Sequence, residues 1–401
     1  MSLALISRSP DLKRLRDEGY EIDVVNGYLT VSHVPYVNAS KQVAFGTLVS
    51  HLDIAGDATV PPKDHVALWA GDYPCDSKGS QLVNLVNDPK RNEKVNEGLV
   101  ATHSFSQKPK PADHYDDYYQ KMTTYARILE GEARVLDHTA TSRTHPPIPL
   151  SEAESVFCYL DSASSRAGIA AISKKLERGR IAIVGLGGTG AYVLDLVAKT
   201  PVAEIHLFDG DHFFQHNAFR SPGAPSFDDL SKRPTKVAWF AEAYSRMRRM
   251  IIPHPQYVNE TNVGELKPME FVFLCLDKGE PKKVVVNYLL GNGIPFIDVG
   301  MDLFVEEDAL GGSARVTTGT PSFHDHVSRR IHFTDGEDNE YSTNIQIADM
   351  NALNAALAVI KWKKLWGFYI DLGKEHHTVY GVSTNTVTND EAQDEAKVDQ
   401  A

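Results

Sequence analysis

Residues 181–190 read Ile181-Ala182-Ile183-Val184-Gly185-Leu186-Gly187-Gly188-Thr189-Gly190, and Ala191–Lys199 continues with Tyr192, Val193, Leu194, Leu196, Val197 and Ala198. Four apolar residues followed by glycines predict a buried strand that ends in a tight turn. Glycine lets the backbone turn sharply and approach a phosphate closely. The apolar run over 191–199 predicts a helix, and its first N–H groups would face that anion. A nucleotide site is therefore expected here. Gly185, Gly187 and Gly190 fit the spacing Gly-x-Gly-x-x-Gly, which alone does not say which nucleotide binds.

The pattern around this stretch alternates strands and helices. A helix is predicted over 151–177, ahead of a strand at 180–184. A second strand, Ala203–Phe208, ends at Asp209, and a helix follows over about 234–248. A third strand, Phe271–Leu276, ends at Asp277. Helix 281–291, strand Pro295–Val299 and a long Ala- and Leu-rich helix over Ile345–Trp366 complete the run. Strands separated by helices imply an α/β fold, a Rossmann-like, doubly wound, mostly parallel sheet.

Residues 1–148 read differently. Short strand-like runs dominate, clearest at Tyr28–Val34 and His65–Trp69. One helix is expected over Asp113–Glu130, with Tyr115, Tyr118, Met122, Ala126 and Leu129 at core-facing helical spacing. The proline-rich Thr144-His-Pro-Pro-Ile-Pro149 marks a boundary. The expectation is a smaller α+β domain over 1–148, the nucleotide-binding domain over 149–388, and a tail over 389–401. That tail carries five acids and one lysine and is expected to be disordered.

At 401 residues, 42% hydrophobic and 23% charged, the chain has the composition of a soluble globular protein. A net charge of −12 argues against a general nucleic-acid binder. No apolar run reaches the length of a membrane span, so neither nucleic acid nor membrane is expected as a partner. Three cysteines, Cys75, Cys158 and Cys275, make a disulfide framework improbable and point to the cytoplasm. No Cys-x-x-Cys pair exists for a structural zinc ribbon.

Two readings compete for the glycine turn. Asp209 stands where a nicotinamide enzyme holds its ribose, so an NAD(P)-dependent oxidoreductase is one. The surroundings favour a nucleoside triphosphate with Mg²⁺. Gly188 doubles the central glycine, and Asp209-Gly210-Asp211 follows the second strand. Asn217-Ala-Phe-Arg220 comes next, then Lys236, then Asp277 at the third strand end. Cations suit a polyphosphate, and an acid at a strand end suits Mg²⁺.

Together these motifs resemble the adenylation domain of the ThiF, MoeB and ubiquitin-activating-enzyme superfamily. The shared pattern is Gly-x-Gly-Gly-x-Gly, Asp-x-Asp, Asn-x-x-Arg, a downstream Lys and a strand ending in Asp, all in order here. Ile294-Pro-Phe-Ile-Asp-Val-Gly300 resembles the strand that follows. The resemblance implies that Gly185, Gly187, Gly188, Gly190, Asp209 and Asp211 form the ATP cradle, with Asp209 on the ribose. It implies that Asn217, Arg220 and Lys236 hold the phosphates and that Asp277 ligates Mg²⁺. It also implies a homodimer in which Arg166 completes the neighbouring site.

The implied reaction is activation of the C-terminal carboxylate of a ubiquitin-like protein as an acyl-adenylate. A ubiquitin-conjugating-enzyme-like protein would then receive the acyl group. Residues 1–148 resemble the accessory domain that precedes the adenylation domain in some bacterial ubiquitin-like conjugation operons, on the stretches Val43–Val49 and His103–Pro109. An inactive nucleotide-binding scaffold is the non-enzymatic alternative.

Relatives that pass the acyl group to a cysteine carry it after the Mg²⁺-binding strand, and no cysteine follows Cys275 here. The sequence leaves three routes open: release at the adenylate, transfer to Cys75 or Cys158, or an oxygen ester on a Ser or Thr. Thr334, in Ile331-His-Phe-Thr-Asp335, is the hydroxyl candidate. Pro321-Ser-Phe-His-Asp-His326 stands where zinc-binding relatives carry cysteines. Adjacent His324, Asp325 and His326 make a poor chelate.

Overall fold

The computed structural model describes residues 2–177, 179–277, 279–331, 333 and 345–392. Two compact units result, Met1–Ile148 and Pro149–Ala401.

The first unit is an antiparallel sheet against helices. Helices α1 (Ser2–Arg8) and α2 (Pro10–Asp17) precede strands β1 (Glu21–Val25), β2 (Tyr28–Val37), β3 (Val43–His51), β4 (Val66–Ala70), β5 (Val86–Asp88) and β6 (His103–Ser106). Their order in the sheet is β1-β2-β3-β4-β6-β5. Helix α3 (Tyr118–Leu136) starts later than the sequence predicts, because the Asp117 side chain accepts from Gln120 N–H and sets its first turn. The predicted stripe is core. Tyr118, Met122, Ala126 and Leu129 pack with Leu29, Trp69 and Phe105, and Tyr115 joins them from ahead of the helix.

The second unit holds the mixed α/β sheet. Strands β7 (Arg180–Val184), β8 (Glu204–Phe208), β9 (Ile251–His254), β10 (Phe271–Leu274) and β11 (Phe296–Glu306) are parallel. Strands β12 (Ala309–Gly319), β13 (His377–Gly381) and β14 (Thr386–Asp390) extend it antiparallel. The order is β9-β8-β7-β10-β11-β12-β13-β14. Chain order therefore reverses between β7 and β10, the switch point where open α/β sheets bind ligands.

Alternation along each strand fills both faces. Ile181, Ile183, Leu207, Phe273 and Ile297 pack on one side. They meet Val193, Leu194 and Val197 of α4 (Gly188–Ala198) and Phe240 of α5 (Lys236–Ser245). Val184, Val272, Leu274 and Phe296 pack on the other, with Val285 and Leu289 of α6 (Gly279–Gly291). Helix α7 (Ala348–Leu365) adds Ala355, Ala358 and Trp362 to the first face. Both faces are dry, so these strands read as continuous apolar runs.

Two sequence expectations are corrected. Residues 151–177 are not one helix. Only Ser162–Arg166, Ala170–Ser173 and a 3₁₀ turn at Lys174–Leu176 are helical. The Arg249 guanidinium binds the carbonyls of Leu150, Ser155 and Phe157, and Glu154 and Ser155 N–H close a single turn on the Ser151 carbonyl, so no helix propagates over 150–157. Gly168 then takes φ +71 and ends the first short helix. Residues 389 and 390, predicted to open a disordered tail, are also ordered. Asn389 and Asp390 pair with Thr378 and His377 in the sheet, and Glu391 meets Arg330 at 3.0 Å. Residues 393–401 lie outside the described residues. No helix among the described residues is long and apolar enough to cross a membrane.

Candidate active site

Register builds the site. Val184 of β7 pairs with both Phe208 of β8 and Leu274 of β10. The next residues, Gly185, Asp209 and Cys275, therefore leave three adjacent strands in one row. Gly185 N–H donates to the Phe208 carbonyl at 2.8 Å, and Cys275 N–H to the Val184 carbonyl at 2.8 Å.

The glycine turn is as tight as its sequence implies. Gly185 has φ +93, and a Cβ there would lie 2.5 Å from the Cys275 carbonyl oxygen. A Cβ on Gly190 would lie 1.9 Å from the Gly185 carbonyl oxygen. Gly187 caps α4, and a Cβ there would meet nothing within 4 Å, so that face of the turn is open. Gly188 opens the helix with its N–H groups toward the turn.

Asp209 is buried and is fixed at both oxygens. Its Oδ2 accepts from Leu186 N–H at 2.7 Å, and its Oδ1 from Asp211 N–H at 2.8 Å. This locks the second strand end to the glycine turn. Lys236 stands at the start of α5, which the Thr235 side chain caps. Its Nζ lies 2.7 Å from Asp211 Oδ2 and 3.5 Å from Asp209 Oδ2. Tyr257 donates its hydroxyl to the other Asp211 oxygen, and its ring lies against Gly210. That hydrogen bond to the carboxylate pushes the Tyr257 phenol up to about 12.

Arg220 and Asn217 come from the loop after β8. The Arg220 Nε is buried and has no hydrogen-bond partner among the described residues. Asn217 is buried in the one-turn helix Gln215–Ala218, and its Oδ1 accepts from Phe214 N–H at 2.9 Å. Its carbonyl group thus shapes the loop that carries Arg220. Asp277 is exposed just beyond β10, two residues from the Cys275 backbone that touches Gly185. Arg166 is exposed at the end of Ser162–Arg166. Glycine turn, Asp209, Asp211 and Lys236 are therefore brought together directly, and Asn217 serves the Arg220 loop.

Three features escape the sequence reading. Tyr257 gives no local signal. Asn351 of α7 is fully buried and joins the glycine turn to the Arg220 loop. Asp298, beside Leu274 in register, is fully buried between Lys282 Nζ at 2.9 Å and Arg315 Nη2 at 2.7 Å. Two cations around one buried carboxylate hold β11, β12 and α6 together beneath the strand ends. Removing one partner would strand a buried charge.

The acceptor candidates separate. Cys275 packs against the turn from the sheet, and burial pushes its thiol well above the usual range. Cys75 is buried in the first unit, where burial also raises its thiol. Cys158 is half-buried, with Sγ 3.6 Å from the Ser245 carbonyl oxygen. Thr317 and Thr318 are buried in β12. Thr334 lies outside the described residues. A zinc site at 324–326 is not formed. The His324 and His326 rings donate to the carbonyls of Thr320 and Thr318, and no group of three potential ligands occurs among the described residues.

The ThiF family model matches residues 162–380, and a domain of unknown function, DUF6791, matches residues 10–162. No curated protein matches the chain. Among solved structures, PaaA is 17% identical, with a TM-score of 0.42 over 56% of this chain and 76% of its own. E. coli MccB with ATP is 18% identical, with a TM-score of 0.44 over 57% of this chain and 69% of its own. The Microcin C7 biosynthetic enzyme MccB in complex with N-formylated MccA is 17% identical, with a TM-score of 0.45 over 57% and 70%. By the family match, which spans more than half of its length, the chain belongs to the ThiF family of adenylating, ATP-using enzymes.

Proposed function

We propose that the chain activates the C-terminal carboxylate of a ubiquitin-like protein by adenylation. The observation that carries this reading is the row of strand ends at the sheet's switch point. It gathers the glycine turn, Asp209, Asp211 and Lys236, with Asp277 close behind.

A carboxylate is ionised at neutral pH, so attack on the α-phosphorus of ATP needs no general base. One P–O bond forms, the bond to the leaving pyrophosphate breaks, and an acyl-adenylate remains. The residues therefore orient groups and neutralise charge. N–H groups of the turn and of α4 receive phosphate oxygens. Asp209, already oriented by Leu186 and Asp211 N–H, accepts from the ribose hydroxyls. Lys236 exchanges its Asp211 contact for phosphate oxygens. Arg220, with a buried Nε unpaired, offers its donors to the same anion.

Asp277 fits Mg²⁺ by donor type, an exposed carboxylate at the turn's lip. When bound, that ion would neutralise charge on the phosphates.

The further steps belong to the same proposal. A second copy would contribute Arg166, and the Thr334 hydroxyl would take the acyl group as an oxygen ester, releasing AMP and its proton, before a ubiquitin-conjugating-enzyme-like protein receives it. The cytoplasm is the proposed compartment. The test is incubation with ATP and a ubiquitin-like protein encoded nearby in the genome. An adduct stable to thiols but cleaved by hydroxylamine supports the hydroxyl route. A thiol-labile adduct overturns it in favour of Cys75 or Cys158.

A further inference from the structure

We infer that Asn351 is a positioning residue that sets the Arg220 loop against the glycine turn, an inference that rests on the nucleotide reading above. Asn351 lies in the first turns of α7, the helix that adds Ala355, Ala358 and Trp362 to the core. It is fully buried, yet its amide is used at both ends. The Thr189 hydroxyl, inside the glycine turn, donates to Oδ1 at 2.9 Å. Its Nδ2 donates to the Arg220 carbonyl at 3.2 Å. The two partners are 31 residues apart in sequence, and this one side chain bridges them.

The fit is close. A Cβ on Gly188 would lie 1.9 Å from Asn351 Nδ2, so the doubled glycine of the turn is the space the amide occupies. Glycine at 188 and asparagine at 351 are thus one structural unit. The Arg220 carbonyl fixes which way the amide points, since it only accepts and only the nitrogen end can donate to it. The oxygen end is then turned to the Thr189 hydroxyl. The backbone of Arg220 is pinned while its Nε stays buried without a partner among the described residues. A guanidinium held this way meets a phosphate without having to order its loop at the moment of binding. Asn351 touches no reacting atom in this arrangement and acts through Arg220.

The test is a double-mutant cycle read by nucleotide affinity on the full chain. Asn351→Asp keeps the acceptor for Thr189 and removes the donor to the Arg220 carbonyl. Titration calorimetry with ATP and with adenosine is the readout, because only ATP carries the phosphates Arg220 serves. Asn351→Asp is expected to weaken ATP about 10-fold, the weight of one charge-assisted hydrogen bond. Adenosine affinity is expected to stay within about 2-fold. In an Arg220→Ala background the same change is expected to cost ATP less than about 2-fold, since coupled residues are non-additive. Thr189→Val, run through the same cycle, decides the matter if Asn351→Asp does not fold, because it removes the bond that ties the amide to the glycine turn. Equal losses for ATP and adenosine, or losses that multiply with Arg220→Ala, would overturn the inference. ATP binding unchanged in these variants overturns it alone. A parent chain that binds no ATP overturns the nucleotide reading, and this inference with it.

Discussion

The Lys236 ammonium lies 2.7 Å from one Asp211 oxygen while Tyr257 donates to the other. One exposed carboxylate thus holds a buried cation and a tyrosine over the place where phosphates are expected. The arrangement keeps Lys236 paired until a stronger anion arrives. Asp209 Oδ2, 3.5 Å away, adds a second acid to the same cation.

Replacing Lys236 with Met should therefore remove charge at the phosphates and leave two acids facing each other. The expected loss in pyrophosphate exchange is about 100- to 1,000-fold, the usual weight of one donor to developing charge. Exchange kinetics at saturating ATP check this. A loss below 10-fold would remove Lys236 from the chemistry.

The turn should tolerate a methyl group at one glycine and reject it at the next. Gly187→Ala places its Cβ in open space, whereas Gly188→Ala drives it into Asn351. Gly187→Ala should melt within a few degrees of the parent. Gly188→Ala should cost about 1–3 kcal/mol, the range for overpacking. Denaturant midpoints of the two variants decide it.

Acid should loosen the second unit through its histidines. His376 and His377 are buried and sit at about 4. Burial is the main cause for both, with Lys361 next for His376 and Arg330 for His377. Both are depressed below the unfolded value of about 6.5, so the unfolded chain binds more protons between these limits. Their contribution is whole above pH 6.5 and is lost as pH falls toward 4. Each histidine accounts for up to about 3 kcal/mol. Urea midpoints should fall between pH 7 and pH 5, and a His377→Asn variant should show a shallower fall. A midpoint that does not move between these pH values contradicts the burial of these rings as neutral groups.

Much of the nucleotide-binding unit is legible from local pattern. Strands buried on both faces write themselves as apolar runs, so Ile181–Val184, Ile205–Phe208 and Phe271–Leu274 stand out. The glycine turn, Asp209 and Lys236 share one short segment of chain around two strand ends. What escapes depends on contacts distant in sequence. Residues 151–161 have helical spacing, but the Arg249 guanidinium holds their carbonyls, and nothing local announces it. Asn389 and Asp390 read as the start of an acidic tail and join the strand Thr386–Asp390 only against His377–Gly381. Asn351 hides among the alanines of α7, because two buried amides, Asn351 and Asn354, do not disturb a helical apolar pattern. Tyr257 is brought to Asp211 by the loop after β9, 46 residues further along the chain.

The central claim is that the site joins a carboxylate to the α-phosphate of ATP. Carrier-dependent exchange of labelled pyrophosphate into ATP measures this most directly, with the parent chain and Asp277→Ala compared side by side. Exchange is expected only when the ubiquitin-like carrier has a free C-terminal carboxylate, and it is expected to be lost in Asp277→Ala. Exchange that ignores the carrier, exchange that survives Asp277→Ala, or tight NADH binding without ATP binding would contradict the claim.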